Sequence, residues 1–164
     1  TTAQMAMGDA LAVALLSLRG FTEKEFAQFH PGGSLGKQLY LKVSDIYPSH
    51  QRPEVNESAN LKDIILEMTS KRLGMTAVTD SHNNLVGIIT DGDLRRMLQS
   101  DQDFAKILAK DILSSNPKTV ASHEMAVYAM GLMQEFNITQ LLVVDEGQYL
   151  GVIHLHDLIK EGIL

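Results

Sequence analysis

"LVGIITDGDLRRML" (Leu85–Leu98) and "YLGVIHLHDLIKEG" (Tyr149–Gly162) follow one pattern: a short apolar run through a glycine, then an Asp-Leu pair that opens a charged segment. Alternating, β-branched runs of this length read as strands, and Asp near the start of the following segment reads as a helix N-terminus. The similarity extends backwards. Asp45-Ile46 falls over Asp111-Ile112, Met68 over Met133, Asp80 over Asp145, Gly87 over Gly151 and Asp93-Leu94 over Asp157-Leu158, at offsets of 64 to 66 residues. Two copies of a unit of roughly sixty residues fill positions 42 to 164.

Each copy reads as helix, strand, turn, strand, helix behind a short leading strand. In copy one, Ser58 or Asn60 caps a helix with Leu61, Ile64, Ile65 and Met68 on its apolar face. In copy two, Ser122 starts the helix, and Ala126, Ala129, Met130 and Met133 form the matching face. The strands are "MTAVT" and "LVGIIT", then "QLLVV" and "YLGVIH", with polar turns "DSHNN" and "DEGQ" between them. Leading strands are expected near Pro53–Val55 and Lys118–Val120. One unit is too small to cover both faces of its sheet. Two units paired about a pseudo-twofold axis solve that problem.

Composition narrows the class. The chain of 164 residues is 45% hydrophobic and 21% charged, ordinary values for a globular protein. Its net charge of −6 and the absence of a basic stripe argue against a nucleic-acid partner. No cysteine is present, so disulfides and thiolate metal sites are excluded, and a cytoplasmic setting is expected. "MAMGDALAVALLSL" is too short and too interrupted for a membrane span, and it lacks the basic start of a signal peptide.

Ahead of the repeat, a helix is expected from about Ala3 to Leu18, ended by Gly20. Thr22 and Glu25 have capping-box spacing for a second one. "FHPGGSLGKQ" (Phe29–Gln38) then superficially suggests a phosphate-binding loop. The spacer between Gly32 and Gly36 is one residue short, however, and Gln38 replaces the magnesium-binding hydroxyl. The chain opens on Thr1, which suits a piece of a longer protein as well as removal of an initiator methionine.

The closing motif, "GIITDGDL" in copy one, resembles that of the cystathionine β-synthase (CBS) domain, which occurs in tandem pairs. The resemblance covers about three quarters of the chain. It implies a mixed α+β fold, a pseudo-twofold tandem CBS pair, often with a nucleotide ligand. The chemistry suits that role: a hydroxyl at a strand end can hold phosphate beside a helix N-terminus, and a carboxylate three residues on can accept two ribose hydroxyls. Thr90 and Asp93 occupy those places, with Arg95 and Arg96 following to add phosphate charge. The competing reading is that Asp93 and Asp157 only cap their helices. Copy two departs from the motif, since His154 replaces the threonine. His154, His156 and Asp157 remain candidate ligand contacts, through stacking or hydrogen bonding to a sugar or carboxylate. A metal site would want a third ligand, and none is expected.

"MGDALAVALL", "HPGGSLGK", "LGMTAVTD", "TDGDLRRML" and "HLHDL" together resemble the bacterial arabinose-5-phosphate isomerases, in which a sugar-isomerase (SIS) domain precedes a CBS pair. That resemblance implies residues 1–38 as the end of an SIS domain and linker, 39–101 as the first CBS domain and 102–164 as the second. It implies a cytoplasmic homotetramer interconverting ribulose 5-phosphate and arabinose 5-phosphate for lipopolysaccharide or capsule synthesis, and no required cofactor. The histidine of "HPGG", His30, carries over as an active-site residue, since imidazole titrates in the range that proton transfer through an enediol needs. The family's catalytic lysine and glutamates have no counterpart here, so this chain alone is expected to be inactive. The regulatory ligand would be an adenosine nucleotide or CMP-Kdo, the CMP conjugate of the pathway's eight-carbon acid. The alternatives are a free-standing adenosine-nucleotide-binding pair and a purely structural oligomerisation module.

Overall fold

Two three-stranded sheets, one per repeat, form the body of the computed structural model, in which the described residues are 1–22, 25–26, 29, 33–49, 51–99 and 103–163. The first sheet has the order β1 (Glu54–Asn56), β2 (Met75–Thr79), β3 (Leu85–Thr90), and the second β4 (Thr119–Val120), β5 (Gln140–Asp145), β6 (Gln148–His154). In both, the leading strand runs parallel to the middle one and the hairpin partner antiparallel. The two sheets even share a register irregularity, between Val78 and Thr79 and between Val143 and Val144.

Helix α1 spans Thr2–Leu18, α2 Ser34–Tyr40, α3 Leu61–Lys71, α4 Asp91–Leu98, α5 Ala109–Ile112, α6 Ala126–Phe136 and α7 Leu155–Lys160. Asn60 caps α3, its side chain accepting from the Asp63 N–H at 3.0 Å. Of the expected apolar face, Ile64 and Met68 are buried, but Ile65 lies on the exposed side. The face of α6 is buried at all four expected positions. Ser122 does not start that helix. Its hydroxyl and N–H both donate to the Asp145 carboxylate, and the chain turns once more before Met125 acts as N-cap. Asp145, the acceptor of that pair, is held below the ordinary carboxylate range by it. The Thr22–Glu25 capping box forms, with Glu25 Oε2 accepting from the Thr22 N–H at 2.8 Å.

The repeats exchange their leading segments. Val43 and Ile46 are buried not in repeat one but in the core of repeat two, with Met130, Met133, Leu141, Ile153 and Leu158. Reciprocally, Ala109 is buried among Val55, Ile64, Met68, Val78 and Ile89 of repeat one, with Ile112 and Leu113 packed alongside. Backbone pairing fixes both crossings: the Val43 N–H donates to Glu124 O at 2.9 Å, and Ser114 and Ile88 exchange bonds of 2.8 and 3.1 Å. A third cluster, Met75, Ala77, Leu142, Tyr149 and Val152, lies between the sheets. There the Tyr149 hydroxyl donates to Pro53 O at 3.0 Å, and burial pushes its ionisation far up.

Helix α2 rests against α6, and Lys37 reaches Glu161 at 2.8 Å. The segment preceding the repeats is therefore tied to the second one. By contrast α1 buries none of its residues, although Met5, Met7, Leu11, Val13, Leu15 and Leu18 are all large and apolar. Among the described residues no helix is long and apolar enough to cross a membrane.

Candidate functional site

Each sequence motif lands at the same place, a β-strand running into a helix, but the two sites are built differently. In repeat one β3 ends on Thr90, whose extended backbone makes it the N-cap of α4. The Thr90 N–H and hydroxyl both donate to Oδ2 of Asp93, at 2.7 and 2.6 Å, and the Asp93 N–H returns a bond to the threonine oxygen at 3.3 Å. Oδ1 accepts from Arg96 Nη2 at 2.5 Å and from the Ser114 hydroxyl at 2.7 Å. A carboxylate offers about four lone-pair positions, and all of them are filled. Asp93 is only 6% exposed. Burial pushes its carboxyl up, but the bonds from Thr90, Ser114 and Arg96 outweigh that and hold it below the ordinary carboxylate range.

Ser114 reaches Asp93 because the leading segment of repeat two crosses into repeat one. Gly87 permits the crossing: a Cβ there would sit 2.8 Å from the Ser114 carbonyl oxygen and 2.8 Å from Leu113 Cδ1. Sequence reasoning missed Ser114, which lies 21 positions from Asp93. The only signal available was the repeat itself, which sets Leu113-Ser114 over Tyr47-Pro48. Of the two arginines, Arg96 meets Asp93, while Arg95 is exposed. Helical geometry decides this, because position i+3 shares a face with the carboxylate and i+2 does not.

In repeat two His154 is the N-cap of α7, and its Nδ1 accepts from the His156 N–H at 3.0 Å. That bond requires a neutral Nδ1 and places any proton of the neutral ring on Nε2. The rings of His154 and His156 stack, with centroids 5.0 Å apart and planes 10° apart, although one residue ends a strand and the other lies in a helix. Asp157 Oδ2 accepts from the His154 N–H at 3.0 Å. Gly151 lies against the Tyr47 ring as Gly87 lies against Leu113. Pro48, however, has no hydroxyl to offer where Ser114 has one, and Lys160 stands where Arg96 does.

His30 lies outside the described residues. Among those described, no group of three or more His, Asp or Glu side chains is placed to hold a metal ion. A cavity of about 500 Å³ lies between α3 and α4, lined by Leu61, Met68, Arg72, Asp91, Leu94 and Met97. Asp91 and Leu94 of the closing motif line it, whereas Thr90, Asp93, Arg95 and Arg96 do not.

The duplicated strand–helix unit, with its motif carboxylates and crossed leading segments, defines a tandem-repeat module. The CBS domain family model matches residues 43–100 and 109–163, and the chain belongs to that family. Over its whole length it is 47% identical to arabinose 5-phosphate isomerase KdsD of Salmonella typhi, of which it spans 50%. The chain thus covers about half the length of the curated relatives it matches. A CBS domain protein from Pyrobaculum aerophilum, solved with AMP, superposes with a TM-score of 0.63 at 24% identity, covering 72% of this chain and 90% of that one. CBSX2, also in complex with AMP, gives 0.60 at 22% identity, over 73% and 93% of the two chains. These two likenesses establish the shared fold.

Proposed function

We propose that the chain is the regulatory, nucleotide-binding CBS pair of an arabinose-5-phosphate isomerase. The observation that carries the reading is the end-to-end similarity to relatives of that name and twice this length. In the whole protein an SIS domain would interconvert ribulose 5-phosphate and arabinose 5-phosphate in the cytoplasm as a homotetramer. Residues 1–38 would belong to its end and to the linker, 39–101 and 102–164 to the two CBS domains. The unburied apolar surface of α1 supports that division, since a helix apolar on all sides is built for a fuller enclosure. His30 would serve the proton transfer there, and the present chain by itself would not catalyse it.

The ligand class is an adenosine nucleotide, a reading supported by the two AMP complexes of the same fold. Asp93 and Asp157 would receive the ribose hydroxyls, with Thr90 and the two arginines, Arg95 and Arg96, on the phosphate side. In repeat two the stacked His154 and His156 favour a second candidate, a nucleotide bearing a sugar acid such as CMP-Kdo.

Thermal-shift titration with AMP, ATP, CMP and CMP-Kdo separates these readings. A ligand at a hundred times its dissociation constant adds about 2.7 kcal/mol of stability. Asp93→Ala or Asp157→Ala should remove the shift of whatever binds at that repeat. No shift with any of the four would favour a purely structural pair.

A further inference from the structure

The nucleotide reading puts ribose hydroxyls on Asp93, yet both oxygens of that carboxylate are fully engaged within the chain. Oδ2 is held by the Thr90 N–H and hydroxyl, which belong to the helix cap, so displacing them costs that cap. Oδ1 is held by groups that can leave. The Arg96 side chain is 69% exposed, so solvent or a phosphate can take over its donors. The Ser114 hydroxyl is a rotor on a backbone pinned by its two bonds to Ile88. A ribose presents two neighbouring hydroxyl donors, matching in number the guanidinium N–H and the hydroxyl that now occupy Oδ1.

We propose that Ser114 and Arg96 form an internal latch on the ribose-recognising oxygen of Asp93, so that repeat one accepts a nucleoside only by displacing both. The proposal rests on the nucleotide reading given above and adds the regulation of that site. Ser114 arrives from the leading segment of the other repeat. The latch is therefore itself a side-chain contact between the two repeats, laid over the backbone pairing at Ile88. Repeat two carries different groups at the equivalent positions, Pro48 for Ser114 and Lys160 for Arg96. The chain thus pairs a self-occupied motif with one of different make-up.

Adenosine is the appropriate probe, since it carries the ribose without a phosphate that Arg96 would also bind. Its affinity is measured by calorimetry on the wild-type chain, Ser114→Ala and Arg96→Gln. Both variants keep the backbone pairing, and the exposed Arg96 makes Arg96→Gln safe for folding even where Ser114→Ala is not. Each variant should bind adenosine about ten- to a hundredfold more tightly, the range expected for removing one competing hydrogen bond to a charged acceptor. The gain should vanish with 2′,3′-dideoxyadenosine and with Asp93→Ala added. Unchanged or weaker binding in both variants overturns the latch; weaker binding in Ser114→Ala alone would make Ser114 a ligand contact and overturn it as well. If wild type and variants all ignore adenosine, opening Oδ1 does not admit ribose and the latch is again excluded. AMP binding that depends on Asp93 but is indifferent to Ser114 and Arg96 would leave the nucleotide reading standing and remove only the latch.

Discussion

The motif carboxylates Asp93 and Asp157 occupy equivalent places in two repeats of one fold, and their surroundings differ at three of the groups that face them. Asp93 has a threonine hydroxyl, an arginine and a serine; the equivalent positions around Asp157 hold His154, Lys160 and Pro48. The backbone N–H of the N-cap residue is the contact that both retain, at 2.7 Å in repeat one and 3.0 Å in repeat two. The helix cap is thus the shared structural duty of the motif. The remaining chemistry is what each repeat is free to vary. A duplicated fold can keep its geometry while assigning its two sites different occupants.

Removing each carboxylate should break this comparison most strongly. Asp93→Ala leaves Ser114, Thr90 and Arg96 without their acceptor and should cost about 3 kcal/mol in urea unfolding. Asp157→Ala removes the acceptor of the His154 N–H and should cost less. Equal costs would mean that the donors around Asp93 contribute nothing beyond the cap.

The glycines give the next largest difference. Gly87→Ala drives a Cβ against the Ser114 carbonyl, which cannot rotate away, whereas Gly151→Ala meets the edge of the Tyr47 ring at 2.9 Å. We expect a loss of about 2 kcal/mol for Gly87→Ala and about half that for Gly151→Ala, read from denaturation midpoints. Gly87→Ala should also weaken protection of the Ile88 and Ser114 amides from hydrogen exchange.

Acid should probe the Asp93 site as well. The folded Asp93 carboxyl is depressed below its unfolded value. Its contribution is therefore fully present above the unfolded carboxylate range and is lost as pH falls through the lower, folded value. Asp93→Asn should flatten the part of the stability–pH curve below about pH 4 that this group supplies. A curve of unchanged slope would show that Asp93 does not titrate differently on folding.

The smallest expected effect concerns the helix ends. Both α3 and α6 terminate in a left-handed residue, Arg72 at φ 56° and Asn137 at φ 53°. Asparagine tolerates that conformation better than arginine does. Arg72→Asn should therefore stabilise by about 0.5 kcal/mol, and Asn137→Arg should cost a similar amount.

Much of this architecture was legible in the sequence. The hairpin strands "MTAVT" and "LVGIIT" appear at the expected residues, because β-branched runs between polar turns leave little choice. The strand–helix junctions at Thr90 and His154 follow from the same local chemistry. What local pattern could not reveal is the crossing of the leading segments. Val43 and Ile46 look like the start of repeat one, yet burial places them in repeat two. The Ser114–Asp93 contact depends on that exchange, so it was invisible for the same reason. Ser122 misled because its hydroxyl donates to the Asp145 carboxylate instead of accepting from the N–H groups of a helix N-terminus. Ile65 misled because an apolar residue on a helix need not face its own sheet.

The central claim, that the motif carboxylates serve a nucleotide, is tested most directly by titrating AMP into the wild-type chain and into an Asp93→Ala, Asp157→Ala double variant by calorimetry. The account predicts saturable binding to the wild type and none to the double variant. Equal binding to both, or no binding to either while the wild type remains folded, would contradict it.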